Sequence, residues 1–373
     1  MINKYIQTLD KIRKNESSIS GYLYEEGKDQ KGYSCDLNSG KRFCILIALQ
    51  YNRRESDEQI LEQFMATEIE MHKNAPFQGL HKSLRLNAFL LSEFNKPEYS
   101  ILFARAKNSN FDTHCGFDSE YIVSAGVTET YEYLKGIENE ETEAIYEILG
   151  KTPKDCYHSE ADIRKWKSRM KEWFPSEYNP NLDEELQLAI DLGEDDILIN
   201  KIEEWKKTIS DWNTSTLNQL AYFSSLIEDN KGKLWANEEL LKLKKTDWDR
   251  ASQLQTNSKI YLELSDINGA WKSITKAHEY LQKNLDWKQY GLGRFIIEST
   301  LDIMLVIKDP MSDIPQTAFR FFKEEIKGME NLHHNLLRKI IQAAEQMKDN
   351  ELEVVFKQKL KIAEDELNRI LKK

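Results

Sequence analysis

The sequence predicts an all-α protein, a solenoid of antiparallel helix hairpins in two halves. Three observations carry that prediction. Apolar residues recur at steps of three and four along most of the chain. Strand-like alternation is confined to stretches too short to build a sheet on. Breakers are sparse, with 7 Pro and 15 Gly in 373 residues. The pattern is sharpest over residues 254–281. There Leu254, Ser258, Ile260, Tyr261 and Leu264 give one buried face, Ser265-Asp266 breaks the helix, and Ala270, Ile274, Ala277, His278 and Leu281 give the next.

Taken in order, a helix over 2–14 leads into a polar, glycine-containing loop over 15–40. A helix then begins near Lys41, and a second starts at a Ser56 cap and runs to His72, with Ile60, Leu61, Phe64, Met65 and Ile69 in one stripe. Residues 80–107 repeat the hairpin pattern. Leu84, Ala88 and Leu91 precede a turn at Asn95-Lys96-Pro97, and Ser100, Ala104 and Lys107 follow it. Pro97 suits a first helical position, where its missing N–H is not needed. An irregular piece over 108–118 comes next, in which Phe111 and Phe117 are expected to plug the core. Asp118 is expected to cap a helix ending at Gly126, and Thr128 another. Helices over 141–149 and 159–173 complete the first half, the latter opened by Ser159-x-x-Asp162 in capping-box spacing.

All four cysteines precede residue 157 and all eight tryptophans follow residue 165. The proline-containing stretch WFPSEYNPNLDEE lies after both limits, and residues before proline favour extended backbone. It places the junction at about 174–182, with an N-terminal domain over 1–174 and a C-terminal one over 182–373. The second half reads as helices over 182–192, 197–209, 214–229, 237–244, 246–264, 268–284, 295–307, 317–329, 331–348 and 351–371. The Gly291-Leu-Gly293 turn, with no strand before it, reads as close helix packing and not as a phosphate loop. The last helix carries Leu352, Val355, Phe356, Leu360, Ala363, Leu367 and Ile370 as one stripe.

Residues 251–284 resemble a tetratricopeptide repeat. Leu254, Ser258, Tyr261, the turn Ser265-Asp266-Ile267, Ala270 and Ala277 occupy that family's large and small positions. Leu84, Ala88, Leu91, Ser100 and Ala104 make a second, shorter match. Asn257 and Lys107 depart from the pattern, Trp is absent from the opening position of both, and no strict 34-residue period runs through the chain. The resemblance implies protein or peptide binding on a concave face, and no catalysis.

The formal charge is −11, from 52 basic and 63 acidic residues. The pI is near 5.4 and the mean hydropathy is −0.65. Such a surface repels a nucleic-acid backbone and steers in a basic partner. No apolar run reaches the roughly 18 residues a membrane span needs. The N-terminal stretch lacks a signal-peptide core, and the cysteines form no CxxC pair. The expectation is therefore a soluble, cytoplasmic protein with reduced thiols, no membrane contact and no nucleic-acid partner.

One stretch has chemical character: Asp112, His114, Cys115 and Asp118 carry metal-ligand and nucleophile residue types. A thiol- or metal-dependent hydrolase there would need His81 or His158 brought in from elsewhere, because adjacent His and Cys side chains diverge. The alternative is a helix connection with no chemistry. His333-His334 reads as a solvated helix start, and the acidic runs over 138–143 and 194–196 as helix-start charges. No catalytic constellation is complete, and no cofactor motif appears. The favoured reading is a non-catalytic interaction module without cofactor or metal. It would bind a protein or peptide, preferably basic, on the second half, with Trp235, Tyr261, Trp271 and Trp287 as binding anchors. A bacterial immunity or inhibitor protein is one form of this.

Overall fold

A computed structural model of the chain describes residues 1–15, 18–330 and 332–371, and side chains up to residue 369. Asn331, expected to open a helix, and the Ile370 side chain lie outside the described residues. Among those described the protein is all-α, with nineteen α-helices and one two-stranded hairpin. It divides into two compact units, Met1–Lys201 and Ile202–Lys373. No described helix is long and apolar enough to cross a membrane.

The first unit begins with α1 (Asn3–Arg13), followed by strands β1 (Glu26–Lys28) and β2 (Ser34–Asp36) paired antiparallel. This hairpin corrects the expected loop over 15–40. The Asp36 carboxylate stiffens it, Oδ1 accepting the backbone N–H groups of Glu25 (3.1 Å) and Asn38 (3.0 Å). Asp36 Oδ2 lies 2.8 Å from the guanidinium of Arg42 in α2 (Ser39–Asn52). Arg42 is completely buried, and its Nε donates to Glu68 Oε1 of α3 (Glu58–Asn74) at 2.6 Å. Ser83, in α4 (Lys82–Ser92), donates to the other Glu68 oxygen at 2.6 Å. One buried cation thereby fastens the hairpin and three helices.

The unit continues with α5 (Tyr99–Lys107), α6 (Phe111–Gly116), α7 (Val127–Leu134), α8 (Glu140–Leu149), α9 (Glu160–Trp173) and α10 (Leu182–Leu192). Several expected caps are replaced by longer-range partners. Ser56 lies in a single 3-10 turn, and α3 starts behind Asp57, whose carboxylate is taken by Arg13 (2.6 and 2.8 Å) and the Arg54 N–H. Pro97 sits in the turn before α5 and not in its first position. Asp118 precedes a 3-10 turn, Ser119–Val123, but its carboxylate accepts the Trp166 indole N–H at 2.9 Å instead of capping it. Thr128 lies inside α7, which opens at Val127 with its N–H on Glu160 Oε1 (2.7 Å). The Ser159–Asp162 capping box forms as its spacing indicates.

Helix α11 (Asp195–Thr208) runs across the division at residue 201, and the second unit continues with α12 (Thr214–Leu226), α13 (Asn230–Leu243), α14 (Asp247–Glu263), α15 (Ile267–Leu281), α16 (Gly291–Leu305), α17 (Asp313–Glu325), α18 (His334–Met347) and α19 (Asn350–Leu371). Neighbours in sequence pack as pairs, most closely α14 on α15. Small residues set that approach. Ser258 Oγ donates to the Ala270 carbonyl at 2.9 Å, Ala270 and Ala277 are fully buried, and a Cβ on Gly269 would lie 2.5 Å from the Tyr261 ring. Gly293 likewise leaves room for the Trp287 carbonyl, only 2.6 Å from where a Cβ would stand. His333 stands at a helix start as expected and also caps it, its Nδ1 accepting the Leu336 N–H at 3.2 Å.

Two stability predictions follow from these contacts. Glu68→Gln leaves the Arg42 guanidinium short of a buried counter-charge and should cost on the order of 3–5 kcal/mol, read from the denaturation midpoint. Ala270→Leu and Ala277→Leu should each overpack the hairpin, costing on the order of 1–3 kcal/mol, whereas Lys272→Leu on the exposed face should be tolerated.

Candidate functional site

The 112–118 stretch is built around Thr113, not Phe111. Phe111 is 65% exposed, which corrects its expected place in the core, while Phe117 is buried as expected. Asn110 caps α6 by accepting the Thr113 N–H at 2.9 Å, and its amide donates to the carbonyls of His72 and Gly79. Lys107 Nζ donates to the carbonyls of His114 and Phe117, both at 2.7 Å, and burial draws its pKa down. Asp112, His114 and Cys115 are exposed, and His114 Nδ1 lies 3.2 Å from Asn108 Oδ1. The two histidines expected as partners for this stretch, His81 and His158, make other contacts. His81 sets its ring edge against His72, and His158 Nε2 lies 2.8 Å from Ser119 Oγ. Among the described residues no group of three or more His, Cys, Asp or Glu side chains is placed to hold a metal ion.

The Ser119–His158 contact is one that sequence spacing does not signal, since 39 positions separate the pair. It has the distance of a nucleophile and its base, but not the rest of the arrangement. A carboxylate oxygen, Glu120 Oε2, stands 3.9 Å from the same Nε2, beyond hydrogen-bond distance. No hydrogen bond to His158 Nδ1 fixes the tautomer among the described residues.

In the second unit the four expected anchors differ in what they present. Trp287 is 5% exposed, packed against His278. Trp271 is half-buried against the core. The Tyr261 hydroxyl donates to Glu238, and that carboxylate pushes its pKa up to about 12. Trp235 offers the most surface, at 41% exposed. It stands edge-on to Trp212, which in turn stands edge-on to Trp205.

A cavity of about 660 Å³ lies in the first unit, between α2, α4, α10 and the segment 173–180. That segment, read from its prolines as a junction, forms a packed wall. Phe174 stacks on Phe89 with ring centroids 5.3 Å apart, the Pro175 carbonyl accepts from Gln50 Nε2 at 2.9 Å, and Tyr178 sets its edge on Tyr51. Phe43, Ile47, Leu86, Phe174 and Leu188 supply apolar lining. Of the basic lining residues, Lys82 is held by Asp191 at 2.6 Å, and Arg85 donates to the Gly116 carbonyl at 3.0 Å. Glu177 and Glu184, also on the lining, have no ion pair among the described residues. Burial, then the neighbouring Tyr178 and Glu184, raise the Tyr51 pKa.

Charge is divided unequally between the units. Residues 202–373 hold 27 basic and 27 acidic side chains, whereas residues 1–201 hold 25 and 36, so the net −11 belongs to the first unit. Residues 172–200 alone carry nine carboxylates and no Lys or Arg. The second unit, 202–373, is therefore balanced, and the excess of acid in the expected second half, 182–373, comes from the seven carboxylates of residues 183–196.

No family model, curated protein or solved structure matches the chain.

Cys115→Ser and His114→Ala should each change stability by less than about 0.5 kcal/mol, as exposed substitutions do. A fluorophosphonate should leave Ser119 unmodified, because no hydrogen bond to His158 Nδ1 among the described residues holds the ring as a base. A phosphonyl adduct on Ser119 in the intact-protein mass spectrum would contradict this.

Proposed function

We propose that the chain is a non-catalytic interaction protein for a basic protein or peptide, and that its first unit does the recruiting. The observation that supports this most is the confinement of the whole net charge to the unit that also holds the 660 Å³ cavity. Charge concentrated on one unit raises the local concentration of a basic partner and speeds encounter. The second unit, electrically balanced, fits a helical-repeat frame. Its Ser258, Gly269, Ala270 and Ala277 contacts support a tetratricopeptide-like hairpin at α14–α15. An immunity or inhibitor protein that covers the site of a cationic toxin is one concrete form of the proposal. The hydrolase alternative at Asp112, His114 and Cys115 has no assembled partner histidine in its favour.

The test is the association rate with a basic partner recovered by pull-down. Glu172→Lys and Asp183→Lys, both exposed and in the first unit, should slow association, and rising salt should slow it further. Glu324→Lys, exposed in the second unit, should have little effect. Equal effects from both units, or an association indifferent to salt, would overturn the proposal.

A further inference from the structure

We propose that the cleft of the first unit receives the apolar face of a basic amphipathic helix. The inference rests on the reading that the first unit binds a basic polypeptide, and adds the form of the bound segment. A cavity of about 660 Å³ is several times the ~150 Å³ that holds one benzene ring. It therefore has room for a cluster of apolar side chains and not merely one. Its lining divides as such an occupant requires. Phe43, Ile47, Leu86, Phe174 and Leu188 offer apolar surface, while Glu177 and Glu184 offer carboxylates without ion pairs among the described residues.

The lining carries three carboxylates, Glu177, Glu184 and Asp191, against two cations, Lys82 and Arg85, so its net charge is negative. Lys82 is paired with Asp191, while Arg85 and Glu184 each keep one uncharged partner, the Gly116 carbonyl and the Asn181 N–H. The walls are helices and a proline-held segment whose Pro175 carbonyl is already bonded to Gln50. Among the described residues the lining includes no strand, so strand addition has no edge to extend. A helix satisfies its own backbone and presents only side chains, with apolar residues at i, i+3, i+4 and i+7 reaching the floor and flanking Lys or Arg reaching Glu177 and Glu184.

Two synthetic leucine–lysine peptides of identical composition separate shape from charge. In one the leucines fall on a single helical face, and in the other their order is scrambled. Titrated against the full chain by fluorescence anisotropy, the amphipathic peptide should bind at least about tenfold tighter, a difference of ~1.4 kcal/mol. Leu188→Asp, checked for folding by circular dichroism, should erase that preference. Glu177→Lys, an exposed change that leaves the apolar lining intact, should weaken binding of the amphipathic peptide. Equal binding of the two peptides, or a preference that survives Leu188→Asp, would overturn the cleft as the docking site while leaving charge-driven recruitment standing. Binding of neither peptide would remove both.

Discussion

The first unit depends on one buried cation. A guanidinium taken entirely out of water is tolerable only when its charge and its donors are met, and Arg42 meets them with Asp36, Glu68 and the Tyr22 carbonyl. Each partner belongs to a different element, so satisfying one side chain fixes the β-hairpin and α3 around α2. Ser83 extends the network to α4 through the second oxygen of Glu68. The consequence reaches the cleft, because α2 carries Phe43 and Ile47 on its lining and α4 carries Leu86. Apolar packing alone does not specify the register of these helices against one another. A directional network with two carboxylates on one arginine supplies that specification.

The second unit solves a different problem. Helix α14 packs against α13, α15 and α16, so it has little solvent face on which to place polar residues. Its amides are instead paired in the interior. Gln253 donates to Asn237 of α13 at 2.8 Å, and Gln255 donates to Ser299 of α16 at 2.9 Å. The Ser258 hydroxyl serves α15 in the same way. Asn257, the departure from the tetratricopeptide pattern, also accepts from Gln253. A polar residue at that position is therefore accommodated by an amide pair and not by exposure.

What the sequence made legible was local. The α14–α15 hairpin could be read because its period, its Ser265-Asp266 break and its small residues all lie within thirty positions of one another. The Ser159 cap could be read for the same reason, since donor and acceptor are three residues apart. What escaped was every role assigned by a distant partner. Asp118 looks like a cap until Trp166 claims its carboxylate, and Asp57 replaces Ser56 because Arg13 is there to hold it. The 15–40 segment looks like loop until Arg42 anchors Asp36. Prolines at 175 and 180 mark a break between helices, and residues 174–181 lie outside helix, but a break does not distinguish a linker from a wall. Only the contacts of Phe174 with Phe89 and of Tyr178 with Tyr51 decide that. The uneven charge was present in the sequence throughout, yet it could be counted by unit only once the units ended at residue 201.

The acidic stretch that walls the cleft also carries a cost within the fold. Nine carboxylates over residues 172–200 repel one another, and only some are neutralised from outside the stretch. Lys82 meets Asp191, Lys4 meets Glu194 and Lys201 meets Glu185, so those pairs tie α10 and its following turn to the rest of the first unit. Glu177 and Glu184 are left at the cleft without a cation among the described residues, Glu184 holding only the Asn181 N–H at 2.8 Å. Repulsion of this kind is relieved either by dissolved salt or by a bound cation. The two act oppositely on recruitment: salt steadies the free unit while screening the field that draws a partner in, whereas a basic helix in the cleft would neutralise the same carboxylates and stabilise the unit through binding. An uncompensated acidic wall is thus a weakness of the unoccupied first unit that a basic occupant of the cleft would remove.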